Sequence, residues 1–125
     1  MHFTGRAPDD LVKRVMSTAD IGLSPDPKNP LNDVSTMNKT MEYMAYELPV
    51  VAFDLVETKV SAADAALYAT PNEIDAYADL VLELLDDDVR RKQMGAAGRR
   101  RVEDVLAWER QTGPYVAVHH RLTTR

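Results

Sequence analysis

The stretch that most constrains this 125-residue chain runs from Leu31 to Phe53, LNDVSTMNKTMEYMAYELPVVAF. A polar loop ends in Ser35 and Thr36, a helix-like run follows from Met37 to Tyr46, and Leu48-Pro49-Val50-Val51-Ala52-Phe53 is a continuous apolar run of strand length. A strand without a polar face has to be covered on both sides, as in a parallel sheet with helices above and below it. A loop entering a helix N-terminus, with a buried strand close behind, is also how open α/β sheets build anion and nucleotide sites.

The rest of the chain supplies a scaffold for that element. Pro8-Asp9-Asp10 opens a helix whose carboxylates suit free N–H groups, and Leu11, Val12, Val15 and Met16 give it one apolar face from Asp9 to about Thr18. Asp20–Ser24 reads as a strand and His2–Gly5 as the end of another. Three prolines between Pro25 and Pro30 make an exposed loop, longer than a minimal connection. Asp54 to Ala63 reads as a loop, Ala65–Ala69 as a short strand, and Pro71-Asn72 as a break and cap. Ile74, Tyr77, Ala78, Val81, Leu82 and Leu85 define a helix over Glu73–Leu85. Asp86-Asp87-Asp88 caps a helix from Val89 to Leu106, softened at Gly95 and Gly98. A last helix spans Trp108 to Leu122, with Gly113-Pro114 breaking its first part.

Alternation of this kind implies a parallel sheet with right-handed crossovers. The expected fold class is α/β: an incomplete Rossmann-like three-layer domain, with a small parallel sheet of three to four strands flanked by helices and a helical C-terminus. So thin a parallel sheet leaves an exposed edge. Residues 1–125 therefore read as part of a domain rather than a whole one.

Composition removes several function classes. The formal charge of −5 argues against nucleic acid or an anionic membrane as the main partner, since either calls for a positive field. Without cysteine there is no disulfide framework, thiol nucleophile or Cys-ligated zinc, which fits a reducing, cytoplasmic setting. No run approaches the roughly 18 apolar residues of a membrane span, and MHFTGRAPDD lacks the apolar core of a signal peptide.

On a helix advancing about 100° per residue, Met37, Met41, Met44 and Ala45 share a sector that should be buried, with Asn38, Glu42 and Tyr46 on a neighbouring strip. The free N–H groups near Met37 and Asn38 and the positive end of the dipole favour phosphate. Ser35, Thr36 and Lys39 add donors. Glu42, one turn further in, suits the hydroxyls of a ribose. On chemistry alone, a plain cap at Ser35 or Thr36 and a solvated Lys39–Glu42 pair are the commoner explanation of the same residues.

These residues resemble the donor-binding helix of GT-B retaining glycosyltransferases, glycosyltransferase group 1 or family four. The likeness rests on Ser35-Thr36-Met37-Asn38-Lys39-Thr40-Met41-Glu42-Tyr43-Met44-Ala45 and the following Glu47-Leu48-Pro49-Val50-Val51-Ala52. Phe3-Thr4-Gly5-Arg6, Ser17-Thr18-Ala19-Asp20, Asp54-Leu55-Val56-Glu57-Thr58 and Asp87–Val102 extend it. The resemblance implies transfer of a sugar from a nucleoside diphosphate donor to a glycan or lipid acceptor, as in polysaccharide biosynthesis, without a bound metal or other cofactor. It implies donor binding by Asp33, Ser35, Thr36, Met37, Asn38, Lys39 and Glu42, with Glu42 as the second Glu of the family's Glu-x7-Glu pair. The first Glu falls at Val34, where Asp33, Asn32 or the backbone N–H groups of the loop are the alternatives for meeting the sugar hydroxyls, and the family's Gly after Met-Ala-x is Glu47 here. The resemblance also implies that residues 1–125 are the C-terminal portion of a nucleotide-sugar-binding domain. The upstream phosphate-binding Arg and Lys of the family and its acceptor domain lie outside this sequence. The expected partners are therefore a nucleotide sugar and an N-terminal part of the enzyme, with no nucleic acid, and with room for peripheral membrane association of the parent enzyme. No catalytic residue is assigned within the chain, and the isolated chain is expected to be inactive.

Two rival functions share this architecture: a non-catalytic module that forms a homodimer through its exposed sheet edge, and a nucleotide-sugar epimerase fragment. Elsewhere, the adjacent His119 and His120 point about 100° apart and make a poor metal pair. Arg90, Arg91, Lys92 and Arg99–Arg101 read as a solvated basic face, Trp108 and Tyr115 as packing anchors, and Glu57 equally as a donor contact or a loop cap.

Overall fold

A computed structural model of the chain describes residues 1–124. The helices are α1 (Asp9–Thr18), α2 (Pro30–Asp33), α3 (Asn38–Ala45), α4 (Val56–Ala62), α5 (Ile74–Leu85), α6 (Asp88–Arg101) and α7 (Trp108–Thr123), and the strands are β1 (Gly22–Ser24), β2 (Val50–Phe53) and β3 (Ala66–Ala69). The strands form one parallel sheet in the order β1-β2-β3, with Val51 opposite both Leu23 and Leu67.

The central strand β2 is buried throughout and sends alternate residues to two cores. Val51 and Phe53 join Leu55, Ala69, Tyr77, Leu84 and Met94 on one face, where Tyr77 of α5 stacks on Phe53 at 5.0 Å and donates a 2.7 Å hydrogen bond to the Val51 carbonyl. Val50 and Ala52 join Met44, Ala62, Ala65 and Ala66 on the other. This is the α/β three-layer arrangement with a small parallel sheet and a helical C-terminus, and it explains why the strand could be apolar at every position.

Four local expectations are corrected. His2–Gly5 is exposed coil and adds no fourth strand, because it lies on the surface rather than on a sheet edge. Asp54–Ala63 is not a loop, since Val56–Ala62 is α4; its three buried positions, Thr58, Ser61 and Ala62, are small or polar and give no apolar period to read. Gly113-Pro114 does not break the last helix. A proline removes one N–H without leaving helical φ, and edge-to-face packing of Trp108 with Tyr115 (5.5 Å) and of Tyr115 with His119 (4.8 Å) spans it. Those aromatics are packed on one another rather than on the body of the domain, and Trp108 stays 60% exposed. The preceding helix ends at Arg101 and continues as a π turn over Val102–Leu106.

The methionine stripe of α3 also divides. Met44 is fully buried on one face of the sheet, Met37 packs against the other core, and the second fully buried residue of the helix is Thr40. The placement of α3 has two close contacts. The Tyr43 ring lies on Gly22, where a Cβ would come within 2.4 Å of it, and its hydroxyl donates to the Leu23 carbonyl. At the other end the helix closes with Leu48 N–H on the Tyr43 carbonyl and Glu47 N–H on the Met44 carbonyl, a Schellman motif with Glu47 at φ 60°. The residue that replaces the expected glycine thus sits where glycine is conformationally favoured. The α6 backbone crosses this turn so closely that a Cβ at Gly95 would stand 2.0 Å from the Glu47 carbonyl oxygen.

Two stability changes follow. Glu47→Gly should raise unfolding free energy by about 1 kcal/mol, the left-handed penalty less the entropy that glycine loses, visible as a higher denaturant midpoint. Gly95→Ala should cost about 1–3 kcal/mol or more, as for an overpacked core site, in the same titration.

Candidate functional site

In a parallel sheet the connections leaving the strands collect at their carboxyl ends. Here that edge gathers the loop after Ser24, the start of α3, the β2–α4 junction at Asp54–Val56, and the turn at Thr70–Asn72. The loop is strapped across it by side chains. Lys28 N–H donates to Asn72 Oδ1 at 2.7 Å and Asn72 Nδ2 donates back to the Lys28 carbonyl at 3.3 Å, with Asn72 held at φ 64°. The proline-rich segment ends in the single turn α2, capped by Asn29 through Asn32 N–H.

Asp33, at the end of α2, accepts from Lys28 Nζ at 2.9 Å and from Val56 N–H at 3.0 Å through the same oxygen, Oδ1. It therefore ties the loop to the first free N–H of α4. The Lys28 hydrogen bond first, then that of Val56, holds its carboxyl below the ordinary value of 3.8.

Neither Ser35 nor Thr36 caps α3. Ser35 Oγ donates backwards to the Leu31 carbonyl at 2.6 Å, and the N-cap residue is Met37, which has no side-chain cap bond. Among the described residues no hydrogen bond engages the N–H groups of Asn38 and Lys39, the first two helical positions. Lys39, on the same first turn, pairs its Nζ with Asp26 Oδ2 at 2.6 Å. Asp26 Oδ2 also accepts from Ser24 Oγ at 2.9 Å, and Thr40 Oγ1 lies 3.5 Å from Ser24 Oγ. Burial pushes the Asp26 carboxyl up, but the hydrogen bonds from Lys39 and Ser24 outweigh it and hold the group below its ordinary range.

Glu42 takes no partner among the described residues and lies over the groove of about 270 Å³ between α1 and α3, lined by Asp9, Val12, Lys13, Met16 and Tyr46. Thus Asn38, Lys39 and Met37 come together at the helix start with Asp33, Ser35 and Thr36 in the loop before it, while Glu42 faces the α1 side. Val34 is 70% exposed, and the neighbouring Asn32 is engaged with the Pro27 carbonyl through Nδ2 at 2.9 Å. The basic run on α6 does not form an anion site of its own. Arg91 donates to the Leu84 and Leu85 carbonyls, Arg99 to Ala45 and Arg101 to Val60 and Ser61.

Sequence reasoning missed Ser24, Asp26 and Thr40. The available signal was an acid between two prolines directly after a strand, the position from which a side chain reaches the crevice at the sheet's carboxyl edge.

Residues 1–87, which hold the whole sheet and this edge, match the model of the family described as glycosyl transferases group 1. The chain belongs to that family. Over 70 residues, 55% of the chain, it is 37% identical to the GDP-mannose-dependent monoacylated alpha-(1-6)-phosphatidylinositol monomannoside mannosyltransferase of Corynebacterium glutamicum. The match spans 18% of that relative's length. No solved structure matches the chain. Among the described residues there is no group of three acidic or histidine side chains placed to hold a metal ion, and no helix long and apolar enough to cross a membrane. For this member of the glycosyl transferases group 1 family, the pairing of the loop by Asp33 has a measurable signature. A carboxylate depressed in the folded state stabilises above its unfolded pKa, and that contribution is lost as pH falls through the folded value. The urea midpoint should therefore fall as pH drops from 5 towards 3, and Asp33→Asn should flatten that dependence.

Proposed function

We propose that the chain supplies part of the donor site of a glycosyltransferase, holding the diphosphate of a nucleotide sugar at the start of α3. The supporting observation is the conjunction at that helix end of two unengaged N–H groups, at Asn38 and Lys39, with the Lys39 ammonium. Peptide dipoles and a cation aimed at one place suit an anion that gains charge during reaction.

In sugar transfer the bond between the sugar's anomeric carbon and the diphosphate oxygen breaks, and a bond forms from that carbon to an acceptor hydroxyl, whose proton is lost. The leaving nucleoside diphosphate takes the electron pair of the broken bond, so donors fixed before the reaction lower its barrier without reorganising. Thr36 and Asn38 are exposed at the mouth and add donors, Ser35 and Met37 contribute backbone, and Asp33 fixes the loop around them. Glu42, unpartnered one turn further along, accepts from the ribose hydroxyls. The role needs no metal, because the helix end and Lys39 provide the positive charge. The acceptor is a glycan or a lipid-linked glycan, and the remaining substrate contacts come from residues outside this sequence. The GDP-mannose named for the corynebacterial relative makes a guanosine diphosphate sugar the first donor to test.

Calorimetric titration separates these roles. Lys39→Met should weaken GDP binding roughly tenfold, the size of one charge-assisted hydrogen bond. Glu42→Gln should weaken GDP while leaving inorganic pyrophosphate unchanged. Equal loss of both ligands in the Glu42 variant would refute the ribose assignment.

A further inference from the structure

The structure assigns Asp26 as the positioning residue of the diphosphate site: its carboxylate fixes the Lys39 ammonium at the start of α3, leaving that group's other donors for the anion. This inference rests on the donor-site reading above. An ammonium has three donors on a flexible stem, so one fixed acceptor sets its place while two donors stay available. Asp26 Oδ2 holds the ammonium in an ion pair at 2.6 Å.

The acceptor is itself held from behind. Ser24 Oγ donates to the same Oδ2 at 2.9 Å, and Ser24 is a strand residue, 2% exposed, in register with Ala52 of the central strand. Thr40, fully buried and next to Lys39 in α3, approaches the Ser24 hydroxyl at 3.5 Å. Strand, loop and helix are thereby joined through one polar chain, and the lysine at its outer end inherits a defined position. The order of exposure agrees with the same assignment: the Lys39 side chain is 38% exposed and that of Asp26 23%, so the lysine is the more solvent-accessible member of the pair. A lysine at the second helical position also meets the positive end of the dipole, which tends to drive it away. The Asp26 charge opposes that tendency and keeps the cation where the unengaged N–H groups are. Asp26 acts through Lys39 and makes no contact with the ligand in this scheme.

The test is a double-mutant cycle in GDP binding, followed by calorimetry, with circular dichroism melts to show that each variant is folded at the titration temperature. Lys39→Met should bind about tenfold more weakly and Asp26→Asn about fivefold more weakly. The double variant should match Lys39→Met alone, the non-additivity expected of residues acting through one group. Ser24→Ala, which leaves the carboxylate but removes its anchor, should lose about twofold with little change in melting temperature. Wild-type affinity or tighter binding in Asp26→Asn would overturn the assignment, because the acid would then be idle or masking the lysine. Full additivity in the double variant would overturn it too. Should Asp26→Asn fail to fold, unchanged affinity in Ser24→Ala decides against the assignment. Equal binding by wild type and Lys39→Met would instead overturn the donor-site reading itself.

Discussion

The approach of α6 to the turn after α3 is the contact on which the arrangement depends. A Cβ at Gly95 would stand 2.0 Å from the Glu47 carbonyl oxygen, and one at Gly98 would touch Met44 and Ala65. Gly95 therefore lets a helix backbone lie directly on a neighbouring turn, at a separation a side chain there would not permit, while Gly98 sits in tight contact with two side chains. The turn it presses on is already strained, with Glu47 in a left-handed conformation. Tyr43 on Gly22 fixes the same helix from the sheet side. With its flank and its C-terminal end located, the opposite end of α3 has one place to point, above the carboxyl edge of the sheet.

The same α6 resolves a second problem, the unsatisfied carbonyls at helix C-termini. Arg99 reaches the end of α3, Arg101 the end of α4, and Arg91 the end of α5. Cations at these ends suit both the hydrogen-bonding deficit and the negative end of each dipole. A cluster that looks in sequence like a solvated face or an anion site is largely consumed in this way.

Much of the fold could be read from periodicity. Val50–Phe53 declared a strand covered on both sides, and Ile74 to Leu85 declared a helix. The failures have physical causes. The helix Val56–Ala62 buries Thr58, Ser61 and Ala62, residues too small and polar to mark a period. Pro114 suggests a stop, but a proline keeps helical φ, and edge-to-face packing around Tyr115 spans it. At the site, Asn38, Lys39 and Met37 could be placed together because one helix start carries them. Ser24, Asp26 and Thr40 could not, because their association depends on how β1 meets α3, and nothing local encodes a contact between Asp26 and Lys39. Ser35 shows the limit of cap preferences. Its hydroxyl had a carbonyl of the preceding turn within reach, and that partner won.

The family match ends at Asp87, one residue before α6 begins. Homology and mechanics therefore divide this polypeptide at different places. A version cut there would contain every residue that the family model matches, yet three helices would lose their terminal arginines and the Glu47 turn its cover. The matched region is thus braced by a segment that lies beyond the family match, through Gly95 and the guanidinium groups of Arg91, Arg99 and Arg101.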